Sequence, residues 1–255
     1  MKPLGLVDEW PIWYLRTKET YRNGNLRLLI ASGFHGEERA GPLALLKWIE
    51  TFDITLFSRV DLSFLPVANP IAFHRGHRYN DRKEPSNCGF CHPESGERPS
   101  QEGVILLKHA QLLKLAAKDG FLSLHEDITE KKCYIYSFEH GDSPTQFTYD
   151  LRDELIKFFG PPLDGEPVVA DATMTTEMRY NKGSTIAHDG IVFKHCDGSF
   201  EDWLFHEGTA KCIVTETPGK ESLARRIKAN IAMINKFIKA CRGNDGAPKA
   251  ALSSL

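Results

Sequence analysis

Short apolar runs alternate with longer segments of helical periodicity along most of this chain of 255 residues. The apolar runs are predicted to be strands: RLLIAS from Arg27, VDLSFLPVA from Val60, GFLSLH from Gly120, KKCYIYSF from Lys131 and KCIVTE from Lys211. Helices are predicted at Ala40–Phe52, Val104–Ala117, Tyr149–Phe159 and Glu221–Cys241. Strands that alternate with helices indicate an α/β fold with a mixed, mostly parallel central sheet flanked by helices.

Composition limits the classes of partner that this chain can have. Hydrophobic residues make up 41%, and the formal charge of −2 gives no broad basic surface for nucleic acid. No apolar stretch reaches the length of about 18 residues that a membrane span needs. The first residues, MKPLGLVDEWPIWYL, include acids and lack the apolar block of a secretory signal. We therefore expect a cytoplasmic protein with one domain over 1–242 and a disordered tail over 243–255.

The six cysteines are too scattered for a disulfide scaffold. Cys133 and Cys212 lie in predicted strands and are expected to be buried thiols. The segment CGFCH, from Cys88 to His92, matches the pattern that attaches c-type haem, a chemistry that requires export. A zinc site made of Cys88, Cys91 and His92 would lack an obvious fourth ligand, so the function of this segment stays open.

A histidine and a carboxylate, His35 and Glu38, stand in the turn between the first predicted strand and its helix. Turns at the carboxyl ends of parallel strands form the ligand crevice of open α/β sheets. Imidazole nitrogen and carboxylate oxygen are common zinc donors. Alternatively, Glu38 favours the helix N-terminus electrostatically and His35 is a solvated loop residue.

Two further strand ends carry ionisable residues, His125 and Glu216. A catalytic zinc ion needs three protein ligands and one open position, and His35, Glu38 and His125 would supply two imidazoles and one carboxylate. Glu216 could face the same crevice and transfer protons there. Alternatively, His125 bonds to a backbone carbonyl and Glu216 is an exposed acid.

A basic segment follows the strand at Val60. Arg75, Arg78 and Arg82 lie close together, and the polar stretch Asn80–Glu102 is predicted to be a long loop. A guanidinium near a metal site can stabilise an oxyanion or hold a carboxylate through two hydrogen bonds. The alternative is a solvated basic loop.

Taken in order, these motifs resemble those of the zinc metallocarboxypeptidases of the M14 class, with murein peptide amidases among their relatives, and more loosely those of succinylglutamate desuccinylase and aspartoacylase. The shared pattern is H-x-x-E, N-P, an arginine, an N-R pair, a second histidine and a late glutamate, with a G-S-x-D-W segment before that glutamate. Here these are His35 and Glu38, Asn69-Pro70, Arg78, Asn87-Cys88, His125 and Glu216, with GSFEDW before Glu216.

The resemblance implies a three-layer fold and one Zn²⁺ ion held by His35, Glu38 and His125. It also implies that Glu216 acts as base and then as acid, and that Arg78 stabilises the oxyanion. Asn87 would help to hold the end of the substrate. The substrate class would be a small peptide, and the oligomeric state is left open.

The sequence departs from the pattern at Cys88, where the family has an arginine that binds the substrate's terminal carboxylate. A thiol cannot make that charged contact, whose loss costs about 1.5–3 kcal/mol. Either Arg82 or Arg75 replaces it, or the substrate has no ordinary free C-terminus there.

In the family, one position of the G-S-x-D-W segment sets the side-chain preference for the substrate. Here that position is Glu201, or Phe200, because GSFEDW has one residue more than the usual segment. A pocket lined by Glu201 would favour a cationic group: Lys, Arg or the amino-acid end of diaminopimelate. Otherwise Glu201 is a surface acid at a helix start. An N-acyl amino acid deacylase of the aspartoacylase type is the alternative enzyme, and a non-catalytic binding module is the third hypothesis.

Overall fold

The computed structural model describes residues 1–18, 20–53, 59–92, 96–168 and 186–243. Its strands are β1 Lys2–Val7, β2 Trp10–Arg16, β3 Leu26–Ser32, β4 Val60–Leu65, β5 Gly120–Asp127, β6 Tyr134–Glu139, β7 Ile191–Phe193 and β8 Lys211–Pro218. Its helices are α1 Ala40–Thr51, α2 Pro70–Arg75, α3 Gln101–Lys108, α4 Ala110–Ala116, α5 Gln146–Phe159, α6 Phe200–His206 and α7 Leu223–Arg242.

The strands form one 8-stranded sheet in the order β1-β2-β4-β3-β5-β8-β6-β7. At its centre β4, β3, β5 and β8 run parallel to one another. The β1–β2, β2–β4 and β6–β8 pairs are antiparallel, and β6–β7 is parallel. The predicted mixed, mostly parallel sheet is confirmed.

Helices cover both faces of the sheet because successive side chains of the central strands point to opposite sides. On β3, Leu28 and Ile30 pack in one core with Leu45 of α1 and Phe237 of α7. Leu29 belongs to the opposite core, which contains residues from α3, α4 and α6. Parallel strands that are buried on both faces appear in the sequence as continuous apolar runs, and this explains why they could be predicted.

Several elements differ from the sequence prediction. The helix predicted at Val104–Ala117 is two helices, α3 and α4, which meet at His109. The Nε2 atom of His109 lies 2.6 Å from the carbonyl oxygen of Leu4. The predicted loop ends at Ser100, whose hydroxyl accepts a hydrogen bond from the Gly103 amide and caps α3. The hairpin β1–β2 and the short elements α2, α6 and β7 were not predicted.

The structure also locates other predicted features. Cys133 and Cys212 are buried, as predicted. Residues 244–255 lie outside the described residues, so the disordered tail stays a prediction, as does the single domain over 1–242. In the described part of the chain, no helix combines the length and apolar character needed to cross a membrane.

Candidate metal centre

The predicted ligands lie at the carboxyl ends of the central parallel strands β3, β5 and β8. His35 follows β3, His125 lies near the end of β5, and Glu216 is directly opposite His125 in the β5–β8 register. The carboxyl ends of adjacent parallel strands form a crevice in open α/β sheets. The topology therefore brings together His35, His125 and Glu216, which follow one another in the chain at intervals of 90 and 91 positions.

The three side chains His35, Glu38 and His125 converge on one point. His35 Nδ1 lies 2.6 Å from Glu38 Oε1, and His125 Nδ1 lies 2.9 Å from Glu38 Oε2. One donor atom of each residue lies within 4.8 Å of the others. Glu38 and His125 are buried, while His35 is partly exposed. Two imidazoles therefore share one carboxylate at the edge of the crevice.

The charges at this point favour a cation. Burial lowers the pKa of His35 to about 4, and the neighbouring Arg78 acts in the same direction, so the ring is neutral at pH 7. Burial opposes the charged form of Glu38, but the two imidazoles hold its pKa well below the usual value. Burial would lower the pKa of His125, but Glu38 outweighs it and raises that pKa. The buried Glu38 carboxylate therefore stabilises a positive charge next to His125 Nδ1.

This donor set fits a divalent transition metal. Two imidazole nitrogens and one carboxylate oxygen are a known ligand set of catalytic zinc sites, which keep a fourth position open. Nitrogen donors suit zinc better than they suit magnesium or calcium, whose protein ligands are oxygen atoms. The partial exposure of His35 leaves one side of the site accessible.

Packing fixes the turn and the second histidine. Gly36 lies against the backbone of Ala72 in α2, so closely that a β-carbon would overlap the Ala72 carbonyl. Phe34 is buried and stacks on the His125 ring, with centroids 5.7 Å apart and an interplanar angle of 9°. These contacts leave the turn and the imidazole little freedom to rotate away from Glu38.

A buried glutamate on the other face of the sheet, Glu126, links the ligands to the helices. Its carboxylate accepts a hydrogen bond from the amide of Ala40, the first residue of α1, and pairs with Arg226 of α7. Its own amide donates to Glu38 Oε2 at 3.3 Å. Glu126 thereby connects α1, α7 and the backbone of β5 to the ligand carboxylate.

Glu216 lies on β8 between the positions of His125 on β5 and Tyr134 on β6. Burial raises the pKa of Glu216 well above its usual value, and the negative charges of Glu38 and Asp127 add to the effect. Raised carboxyl pKa values are common where a group transfers protons in a catalytic crevice. The position is suited to a proton carrier beside the metal centre.

Arg78 contacts the ligand turn directly. Its NH1 atom lies 3.3 Å from Glu37 Oε1 and 3.3 Å from Glu38 Oε1. The guanidinium is about one-third exposed, with 30% of the side chain accessible. It is therefore a cation at the mouth of the crevice, next to the candidate metal.

Two of the predicted substrate-binding residues, Asn87 and Glu201, lie together. The Asn87 Nδ2 atom donates to both carboxylate oxygens of Glu201, at 3.2 and 3.3 Å. Glu201 is buried, so it is not a surface acid, and burial raises its pKa to about 7, with His125 opposing that shift. Phe200 packs in the aromatic core against Phe34, whereas the Glu201 carboxylate lies close enough to His125 for their charges to interact.

The two other arginines point elsewhere. Arg82 is exposed, and its guanidinium contacts the side-chain amide of Gln101 at the start of α3. Arg75 pairs with Asp81 at 2.7 Å on the surface. Burial raises the pKa of the Cys88 thiol, and the nearby charges of Asp197 and Glu97 act in the same direction, while Arg78 opposes them. The position of the missing arginine therefore lies near both acids and the Arg78 cation.

Sequence reasoning missed Glu126 and Arg226. The segment His125-Glu126-Asp127 gave one indication of the role of Glu126. Side chains alternate between the two faces of a strand, so Glu126 lies on the face opposite the ligand His125. An acid on a buried face needs a partner, but the identity of that partner depends on where α7 packs.

Comparisons with known proteins identify similar chains. A family model described as the succinylglutamate desuccinylase/aspartoacylase catalytic domain matches residues 25–151, a range that contains all three candidate ligands. A crystal structure from Shewanella denitrificans, named a "putative metallopeptidase", shares 39% identity, covers 94% of this chain and 83% of its own, and has a TM-score of 0.81. One of the same name from Shewanella baltica shares 38% identity over 94% and 85% of the two chains, with a TM-score of 0.82.

More distant structures share the fold. A metallo-carboxypeptidase from Burkholderia cenocepacia has a TM-score of 0.60 at 16% identity, over 93% of this chain and 63% of its own. A comparison with curated proteins gives no match.

Replacing Glu126 by alanine should destabilise the protein by about 1–3 kcal/mol, because it leaves the buried Ala40 amide and the partly buried Arg226 guanidinium without the Glu126 carboxylate. Urea unfolding followed by circular dichroism measures this change. The control is Asp142→Ala, an exposed acid, which should change the free energy of unfolding by less than about 0.5 kcal/mol. Equal effects of the two substitutions would show that Glu126 does not link β5 to the helices.

Replacing Gly36 by alanine should displace the turn, because the new methyl group overlaps the Ala72 backbone. We expect a loss of stability of about 1–3 kcal/mol and weaker zinc binding, since His35 and Glu38 flank this residue. Zinc titration by calorimetry measures the second effect. Wild-type zinc affinity in this variant would contradict the assigned role of the turn.

Proposed function

Because this chain belongs to the M14-like superfamily of zinc metallopeptidases and carries a catalytic domain of the succinylglutamate desuccinylase/aspartoacylase type, we propose that it is a zinc-dependent hydrolase of amide bonds. The observation that supports this most strongly is the convergence of two imidazoles on the Glu38 carboxylate, with Glu216 in register beside His125. The cytoplasmic location stays a prediction from the sequence.

In this proposal His35, Glu38 and His125 hold one Zn²⁺ ion. The bound ion supplies Lewis acidity, which lowers the pKa of a water molecule and polarises the scissile carbonyl group. Phe34 and Gly36 keep the imidazole of His125 and the ligand turn in place. Such support matters because small displacements of catalytic groups cost large factors in rate.

Glu216 carries the proton in both halves of the reaction. It accepts a proton from the attacking water and delivers it to the nitrogen of the leaving amine, while the C–N bond breaks and a carboxylate and an amine are released. Its location on β8, next to His125, places it within the same crevice as the ligands. Arg78, whose guanidinium already contacts Glu38, stabilises the negative charge that develops on the carbonyl oxygen.

For the substrate, we propose a small peptide that is cleaved at its C-terminal end and ends in a basic residue, such as Lys, Arg or a murein-type diaminopimelate. Glu201 is a buried acid held by Asn87 and lies close enough to His125 for their charges to interact. The charges of Asp197 and Glu97 also act at Cys88, where a carboxylate-binding arginine would stand, and there they outweigh that of Arg78. Such surroundings favour an ammonium or guanidinium group over a carboxylate.

A second candidate is an N-acyl amino acid deacylase. The family model that matches residues 25–151 is of the deacylase type, and the absence of an arginine at position 88 removes the main reason to require a peptide C-terminus. Both candidates use the same metal centre and differ in the groups that hold the substrate.

A substrate panel separates the two candidates. Peptides with a free C-terminal Lys, Arg, Ala or Glu, a murein-type peptide and a set of N-acyl amino acids are incubated with the zinc-loaded protein, and released amine is quantified. We expect release of the basic C-terminal residues, with Glu201→Gln lowering kcat/KM for them by at least about tenfold. Turnover of N-acyl amino acids alone would refute the peptidase proposal and leave the zinc hydrolase intact.

Glu216→Gln should lower kcat by about 10²–10⁴-fold, because the amide cannot accept the proton, and should keep the bound zinc. Turnover and zinc content are measured on the same preparation. Glu221→Gln is the control, since this residue pairs with Arg225 near the start of α7 and should behave as wild type. Full activity of Glu216→Gln would exclude Glu216 from proton transfer.

A further inference from the structure

A second group of potential metal ligands lies outside the proposed catalytic centre. Cys91 and His92 come from the loop between α2 and α3, in the CGFCH segment, while Asp202 and His206 come from α6. Asp202 and His206 are four residues apart and therefore lie on one face of that helix. The four residues together are called the Cys91 cluster below.

The donor atoms of the Cys91 cluster gather around one carboxylate. Asp202 Oδ2 lies 3.0 Å from His92 Nε2 and 3.5 Å from Cys91 Sγ. Asp202 Oδ1 lies 3.4 Å from His206 Nε2. One donor atom of each of Cys91, His92 and Asp202 lies within 4.8 Å of the others. The His92 and His206 rings meet edge to face, with centroids 5.2 Å apart.

These separations are close to those of a tetrahedral zinc site. Bonds of about 2.0–2.1 Å to nitrogen or oxygen and about 2.3 Å to sulfur place donor atoms roughly 3.3–3.6 Å apart. His92 Nε2 and Cys91 Sγ lie 3.0 and 3.5 Å from Asp202 Oδ2, near this range, and His206 Nε2 lies 3.4 Å from the other carboxylate oxygen, Oδ1. A thiolate, a carboxylate and two neutral imidazoles would also neutralise the two charges of the ion.

The burial of Asp202 points independently to a ligand. Its side chain is 1% exposed. The Gly198 amide and His92 contact Oδ2, whereas Oδ1 lies 3.4 Å from His206 Nε2 and makes no hydrogen bond among the residues that the structure describes. Leaving a buried carboxylate oxygen without a hydrogen bond is costly. A bound cation would satisfy it.

We propose that Cys91, His92, Asp202 and His206 bind a second, structural Zn²⁺ ion. Binding forms four bonds to the ion and releases the Cys91 thiol proton to solvent, because the thiolate is the ligand form. All four positions are filled by the protein, so this site leaves no open position for substrate, in contrast to the catalytic centre.

The proposed site would fasten the substrate-binding residues in place. The loop and α6 are already joined by the hydrogen bond from the Phe90 amide to the Gly198 carbonyl, at 2.9 Å. Asn87 stands four residues before Cys91, and Glu201 immediately precedes Asp202. A metal ion held between Cys91 and Asp202 would therefore fix the distance between the segments that carry Asn87 and Glu201.

Cobalt(II) binding tests the proposal through a spectroscopic signature that does not depend on activity. The full-length protein is stripped of metal, titrated with Co²⁺ and followed by absorption. A thiolate ligand gives an intense near-ultraviolet sulfur-to-cobalt band, and the proposed catalytic centre contains no cysteine. We expect this band in the wild type and in His125→Ala, and its loss in Cys91→Ser. Zinc content should fall from two ions per chain to one in Cys91→Ser and in His125→Ala.

The neighbouring Cys88→Ser is the matched control and should keep the band. His206→Ala changes a half-exposed side chain, so the variant should fold. Loss of a residue that only contacts a metal ligand weakens binding by roughly 10- to 100-fold, and loss of the ligand His206 should weaken Co²⁺ binding by more than this. Absence of the band in the wild type, or its persistence in Cys91→Ser, would overturn the proposal. None of these outcomes would affect the proposed hydrolase.

Discussion

The Glu38 carboxylate, shared by the imidazoles of His35 and His125, is the interaction on which the site depends. The carboxylate is buried, and it keeps its charge because two imidazoles, the Arg78 guanidinium and the amide of Glu126 surround it. A negative charge that is shielded from water in this way attracts a cation more strongly than the same group would in water. Removal of either imidazole would take away one of the groups that stabilise this charge.

The rest of the fold holds these three side chains at the right places. Parallel pairing of β3, β5 and β8 brings the two histidines and Glu216 to one edge of the sheet. Glu126 then links the end of β5 to α1 and α7, which pack on the face of the sheet opposite His125. The three-layer architecture therefore acts on the site through the ion pair of Glu126 and Arg226 as well as through apolar packing. The same strand, β5, supplies both the ligand His125 and Glu126.

The sequence predicted the parts of the molecule that are determined locally. Strands buried on both faces, such as β3, appear as apolar runs, and His35 and His125 stand out because they end such runs. The hairpin β1–β2 alternates buried and exposed residues at the sheet edge and was missed. Partnerships between distant residues, such as Glu126 with Arg226 or Cys91 with Asp202, depend on how helices pack and could not be derived from spacing. Cys91 and His92 were noticed as a motif together with Cys88, but the other two proposed ligands, Asp202 and His206, could be found only from the position of α6 beside the loop.

The central claim is that His35, Glu38 and His125 bind one divalent ion together. Diffraction from crystals of the zinc-loaded protein, with data on both sides of the zinc absorption edge, tests it most directly. The account predicts an anomalous peak within bonding distance of Nδ1 of His35, Nδ1 of His125 and the Glu38 carboxylate. A zinc-loaded protein with no peak between these atoms, and with the two imidazoles still hydrogen-bonded to Glu38, would contradict it.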